Sequence, residues 1–170
     1  AREQLRKIIG EVSTQSVYPR NHSPDFDSLI RYRLMSDGWM INEGQSEPID
    51  IGHMLRLKTD FDGSTHLFCG RAGERINNRV EVFDGCVAGN GLRFLVFIGK
   101  LYEKAKYFGM VDLGVALTGV KGATLYTQNI RYRDYFGSYE ENQYRKTLRT
   151  SAITLVDEPR QVARQLFMPF

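Results

Sequence analysis

From Met110 to Val120 the chain alternates: Val111, Leu113, Val115 and Leu117 fall on one parity, and Asp112, Gly114, Ala116 and Thr118 on the other. A period of two puts each set on its own face of a β-strand. The segment immediately before it, 87–108, has the other period. Leu92, Leu95, Val96, Gly99 and Tyr102 gather near one helical face, with Lys100, Glu103, Lys104 and Lys106 opposite. A one-faced strand beside an amphipathic helix leaves few architectures open, because each apolar face has to be covered by another element. The strand's apolar set is therefore expected to pack on the 87–108 helix, and its small set to meet another sheet, helix or chain. The middle of the helix, Phe94-Leu95-Val96-Phe97-Ile98, is apolar all round, so a buried strand is the rival reading there, and Gly89 and Gly91 leave its first turn open.

Upstream, Leu5, Ile8, Ile9 and Val12 have helical spacing, interrupted by Gly10. Residues 13–28 are polar with two prolines and read as a linker, so the expected division is an N-terminal helix and linker (1–28) followed by one domain (29–170). Ile30-Arg31-Tyr32-Arg33-Leu34 and Trp39-Met40-Ile41 read as two strands around Asp37-Gly38. Ile51, His53, Leu55 and Leu57 mark a half-buried strand. Asp60-Phe61-Asp62-Gly63-Ser64 is a hairpin turn, and Thr65, Leu67 and Cys69 alternate with His66 and Phe68 on the return. Arg79–Phe83 is a third strand of this region. Downstream, Lys121-Gly122 is a turn, Tyr144–Val156 ends as a strand, and Pro159–Phe167 is a helix with Asp157 as its N-cap. The fold class that follows is α+β: a two-layer sandwich, mainly antiparallel, with one long helix and a C-terminal helix on one face.

A chain of 170 residues with 42% hydrophobic and 25% charged residues can bury a core without disulfides or metal. The net charge of +3 is compatible with a nucleic-acid partner without requiring one, since acidic residues are interspersed. Cys69 and Cys86 lack CxxC spacing, which argues against a disulfide scaffold or zinc site and for a reducing, cytoplasmic setting. No apolar run reaches membrane-spanning length, so no membrane partner is expected. The chain starts without Met, as a processed chain or a domain taken from a longer protein would, and its apolar end, Leu166-Phe167-Met168-Pro169-Phe170, favours the second expectation.

Catalytic chemistry finds little support. His22, His53 and His66 are the three histidines, and strand alternation works against their convergence on a metal. Asp60 and Asp62 beside Gly63 lack the rest of a calcium loop, and a turn accounts for them. Gly85 and Gly89-Asn90-Gly91 lack the Lys-Ser/Thr and G-x-G-x-x-G forms of phosphate loops. Cys86, ahead of a helix, is a candidate stabilised thiolate or a small buried apolar residue. No cofactor is expected and the chain leans away from being an enzyme; an enzyme fragment with a pocket near His53, His66 and Asp60 stays open as an alternative. The best functional lead is the stretch holding Arg131, Tyr132, Arg133 and Tyr135, then Arg145, Lys146 and Arg149. Arginines meet phosphates and tyrosines offer stacking faces. A strand edge guarded by cations would carry the same residues.

The hairpin His66-Leu67-Phe68 after Asp62-Gly63-Ser64, the run from Leu92 through Tyr102 to Gly109–Gly119, the later Tyr144-Arg145-Lys146-Thr147, and the ending Pro159, Val162, Ala163, Leu166 belong together. Over about residues 50–170 they resemble the C-terminal domain of bacterial, especially actinobacterial, proteins that begin with a Schlafen/Alba-type DNA-binding domain. The N-terminal motifs of that family are absent from this chain, so its chemistry is not carried over. The resemblance implies an accessory domain of uncharacterised role. The function expected of the chain is a non-catalytic, regulatory module serving self-association, ligand sensing or nucleic-acid contact, with a second copy (a homodimer, from the small face of the Met110–Val120 strand) and a nucleic acid (from the arginine and tyrosine stretch) as candidate partners. Direct nucleic-acid binding through 130–149 is the alternative.

Overall fold

A computed structural model of the chain describes residues 2–13, 29–43, 54–70, 72–76, 78–126 and 137–167. The fold is α+β, with all but one strand pairing antiparallel. Its internal contacts divide it into two compact units, Ala1–Arg71 and Ala72–Phe170. The span 29–170, expected as one domain, thus contains the border between them.

The first unit opens with α1 (Arg2–Ser13), whose Leu5, Ile8 and Ile9 form a buried stripe while Gly10 sits exposed where a missing side chain costs no packing. Four strands follow: β1 (Leu29–Leu34), β2 (Gly38–Glu43), β3 (Leu55–Asp60) and β4 (Thr65–Cys69), in the meander order β1-β2-β3-β4. Ile41, Leu55 and Leu57 are 0–1% exposed and set the inner face. Burying each such side chain is worth about 1.5–3 kcal/mol. The β3–β4 turn forms as its residues dictate: Asp60 N–H donates to Ser64 O, Ser64 N–H to the Asp62 carboxylate, and Gly63 takes φ 92°. The turn is tied to its neighbour by Phe61 N–H donating to Asp37 O at 2.8 Å.

The second unit starts with the hairpin β5 (Gly73–Ile76) and β6 (Arg79–Val82), turned through Asn78 at φ 65°. The sequence reading has no strand at β5; asparagine before Arg79, a residue that tolerates left-handed backbone, was the local signal. Next comes α2 (Asp84–Lys104), three residues earlier at its start than expected and helical throughout, which excludes the rival strand at 94–98. β7 (Met110–Thr118) and β9 (Gln143–Ser151) form a long antiparallel ribbon, and β8 (Thr124–Leu125) adds to β6 in parallel. Among the described residues the strands therefore lie in three sheets, of four, three and two strands.

The alternating run expected to continue as strand to Leu155 instead turns helical at Ala152. In α3 (Ala152–Asp157) the Ser151 hydroxyl accepts from Thr154 N–H at 3.0 Å, an N-cap, and Ala152 and Leu155 bury together three residues apart. Asp157 accordingly ends α3 rather than capping the next helix. For α4 (Pro159–Phe167) that place falls to Glu158, whose carbonyl accepts from Gln161 and Val162. Helix α2 packs on α3 and α4, and these pack in turn on the β7–β9 ribbon. Val111 and Leu113 are buried. Val115 and Leu117 pack around a core of Val82, Val87, Val120, Ala123 and Tyr144, so α2 meets the strand's apolar set at its first turn, through Val87. Tyr144 Oη donates to Leu166 O at 2.6 Å, fixing the end of α4 to the ribbon.

Two glycines test this packing from opposite sides. A Cβ on Gly99 of α2 would lie 3.0 Å from the Leu155 backbone oxygen, whereas one on Gly114 of β7 would meet nothing within 4 Å. Gly99→Val is expected to cost about 1–3 kcal/mol of stability by overpacking. Gly114→Val is expected to be tolerated or stabilising, as a branched residue on an open strand face. Thermal melts of the two variants check this; equal melting temperatures would remove the α2–α3 close approach as a determinant of the fold.

Candidate nucleic-acid interface

Because Ile41, Leu57 and Leu67 occupy one row of the four-stranded sheet with Tyr32, the neighbouring rows must face away from them. One outward row reads Arg31, Asn42, Arg56, Phe68 across β1 to β4, and the next reads Arg33, Met40, Lys58, His66. A bulge between Leu29 and Arg31 is what keeps Leu29 buried on one side while Arg31 points to the other. Among the described residues, this open face has four cationic side chains and one strand carboxylate, Asp60, with Asp37 and Asp62 in the adjoining turns. Phe68 stands 49% exposed among them.

The charges are not equivalent. Lys58 Nζ lies 2.7 Å from Asp37 and 2.8 Å from Asp60, and the hydrogen bonds to these carboxylates hold its ammonium well above the usual lysine range. Lys58 is thereby locally neutralised. Arg56 makes neutral contacts instead: its Nε donates to Asn42 Oδ1 at 3.2 Å and Nη2 lies 3.4 Å from Met54 Sδ. Those bonds orient the guanidinium and leave its charge uncompensated by them. Arg31 and Arg33 on β1 are both exposed.

The residues singled out in the sequence are distributed differently. Arg131, Tyr132, Arg133 and Tyr135 lie outside the described residues. Arg145 and Arg149 fall on the outward face of the β7–β9 ribbon, opposite Ala116 and Asp112, whereas Lys146 pairs with Val115 on the other face. The three cations of β9 thus do not act from one side. Arg149 Nε lies 3.5 Å from Asp112, an exposed pair of the kind that contributes little. Asp112, Gly114, Ala116 and Thr118 form an exposed strip, so the sheet, helix or chain expected to meet them is not supplied by the described residues of this chain.

His53 is likewise outside the described residues. His66 and Asp60 do approach, at 3.8 Å between Nε2 and Oδ2, but on the open sheet face, with 68% of the His66 side chain exposed, rather than in a cleft. Among the described residues no three or more His, Cys, Asp or Glu side chains gather as metal ligands. Cys86 is buried in the first turn of α2, 3.6 Å from Asn90 Nδ2, which favours its reading as a small core residue. Among the described residues no helix is long and apolar enough to cross a membrane. The sequence reading missed Arg31, Arg33, Arg56 and Lys58 because they are scattered along the chain. The signal available was the shared parity of cations on strands whose other parity is apolar.

No family model matches this chain, no curated protein matches it, and no solved structure matches it.

The acidic groups that trim this face give a titration test. The hydrogen bond from Lys58 lowers the pKa of Asp37, and the Ser64 backbone N–H lowers that of Asp62. A carboxylate depressed on folding stabilises the fold above its unfolded pKa, near 3.9, and that contribution is lost as pH falls through the folded value. NMR titration should place both midpoints below the ordinary aspartate range. Lys58→Met should raise the Asp37 midpoint and leave Asp62 where it was. An Asp37 midpoint indifferent to that substitution would disprove the pairing.

Proposed function

We propose that this chain is a non-catalytic accessory domain that contacts nucleic acid through the open face of the β1–β4 sheet. The observation that carries the reading is the gathering of Arg31, Arg33 and Arg56, beside a Lys58 already paired with Asp37 and Asp60, on one face that also exposes Phe68. Clustering on one face is what distinguishes a polyanion footprint from scattered surface charge. The resemblance of about residues 50–170 to the accessory domain of Schlafen/Alba-type proteins supports the same setting, and the two unbridged cysteines fit a reducing cytoplasm.

Titration of the full chain with labelled oligonucleotides at low salt tests this. Binding should weaken steeply with added salt, and Arg31→Ala/Arg33→Ala should reduce the slope of log K against log salt by about 1.4 for a single strand. Arg145→Ala/Arg149→Ala should leave it unchanged; a loss in that variant alone would transfer the interface to β9.

A second reading, self-association, is favoured by a separate patch. Tyr107, Phe108, Met110, Ile153 and Val156 are all exposed. They are neighbours: Met110 pairs with Ser151, and Ala152 N–H donates to Gly109 O at 2.9 Å. Contiguous exposed apolar surface marks an interaction site more often than scattered residues do. Light scattering across concentration should report a dimer that Phe108→Asp/Ile153→Asp returns to monomer. A monomer at all concentrations would end this reading.

A further inference from the structure

We infer that the open face is built for a single strand rather than a duplex, with two successive unpaired bases stacked along β4 on Phe68 and His66. This rests on the nucleic-acid reading of the same face and adds the form of the ligand.

The register supplies the geometry. Phe68 and His66 lie on the same side of β4, two residues and therefore about 7 Å apart. Directly behind each ring, on β3, stands a cation: Arg56 opposite Phe68 and Lys58 opposite His66. Beyond β2, the same two rows end in Arg31 and Arg33. The pattern of flat ring, then cation, then a further cation is thus repeated once along the strand direction. A chain molecule with alternating flat and anionic parts can satisfy both rows at once, its bases over β4 and its phosphates over β3 and β1.

Two features favour a single strand. Unpaired bases expose their faces, and every base stacks on an aromatic ring whatever its sequence. In a duplex those faces are already stacked, and the base edges lie in a groove about 8.5 Å deep that a helix or ribbon enters. A shallow sheet face reaches neither. For either form, the Arg56 guanidinium is held in place by Asn42 before any ligand arrives, which reduces the freedom lost on binding. The two rows also differ: Lys58 is already engaged by Asp37 and Asp60, so the Arg56–Phe68 row is the stronger of the two.

The test is fluorescence anisotropy on the full chain at low salt, with labelled 12-nucleotide oligothymidylate, a 12-base-pair duplex, and poly-glutamate as an acidic polymer without bases. The single strand should bind most tightly. Phe68→Leu keeps an apolar side chain and removes the flat ring; it should weaken the single strand about tenfold and leave duplex binding unchanged. Phe68→Trp should restore or exceed the original affinity. Equal affinity for single strand and duplex, with Phe68→Leu without effect while Arg31→Ala/Arg33→Ala weakens both, would overturn the stacking inference and leave the polyanion face standing. Poly-glutamate binding as well as the oligonucleotide, or no binding of any probe at about 100 μM protein, would overturn both.

Discussion

The first unit depends on one register. Ile41 opposite Leu57, and Leu57 opposite Leu67, place two fully buried side chains and a half-buried one, from three strands, in a single row. Since side chains alternate with a period of two, a slip of one residue would bring Arg56 and Lys58 to the interior and put Leu55 and Leu57 in water. Burying an unpaired cation costs far more than any hydrophobic residue returns. The same choice that makes the core therefore fixes which residues share the opposite face. Arg31, Arg33, Arg56 and Lys58 come together as a consequence of burying leucines, and they come together on a rigid support.

The second unit is organised by close approach rather than by register. The Gly99 face of α2 lies against the backbone of α3, and the ring of Phe167 fills the space beside Gly91, so a side chain at either glycine would displace its neighbour. Gly91 belongs to one of the two features that made α2 look weakest as a helix, glycines near its start and an apolar middle without a polar side. A helix covered on more than one side has no need of a polar stripe there, and the loss of glycine's helix propensity, about 1 kcal/mol each, is offset by packing that only a missing Cβ permits.

Much of this architecture was legible in the chain. Strong periods gave α1, the β1–β2 and β3–β4 hairpins, β7 and α4, and the Asp-Gly and Lys-Gly turns fell where glycine was needed, at Gly63 and Gly122. What escaped was decided by neighbours. Residues 152–155 alternate like a strand, yet Ser151 caps the first turn and Ala152 and Leu155 bury from one side of a helix. The border at Arg71–Ala72 follows from which strands pair, and pairing has no local signature. The candidate site was hidden for the same reason. Density of arginine and tyrosine along the sequence pointed to 130–149, whereas the basic face is drawn from β1 and β3, more than twenty residues apart, and exists only once they are in register.

Cations on strands have an ordinary explanation: they discourage edge-to-edge aggregation. That explanation fits the ribbon well. Arg145, Lys146 and Arg149 lie on β9, which among the described residues pairs with β7 alone, and they are divided between its two faces as edge guards would be. It fits Arg31 and Arg33 too, since among the described residues β1 ends its sheet. It does not fit β3. Arg56 and Lys58 sit on a strand hydrogen-bonded on both sides, where there is no edge to guard. Lys58 there is satisfied by Asp37 and Asp60, so its charge is accounted for within the fold. Arg56 is different. It is oriented by the neutral Asn42 side chain, set opposite an exposed aromatic ring, and placed in line with Arg31. A guanidinium pinned by a neutral partner keeps its full attraction for an anion and loses little freedom on meeting one. Of the cations on this face, Arg56 is the one whose position neither edge protection nor internal ion pairing explains.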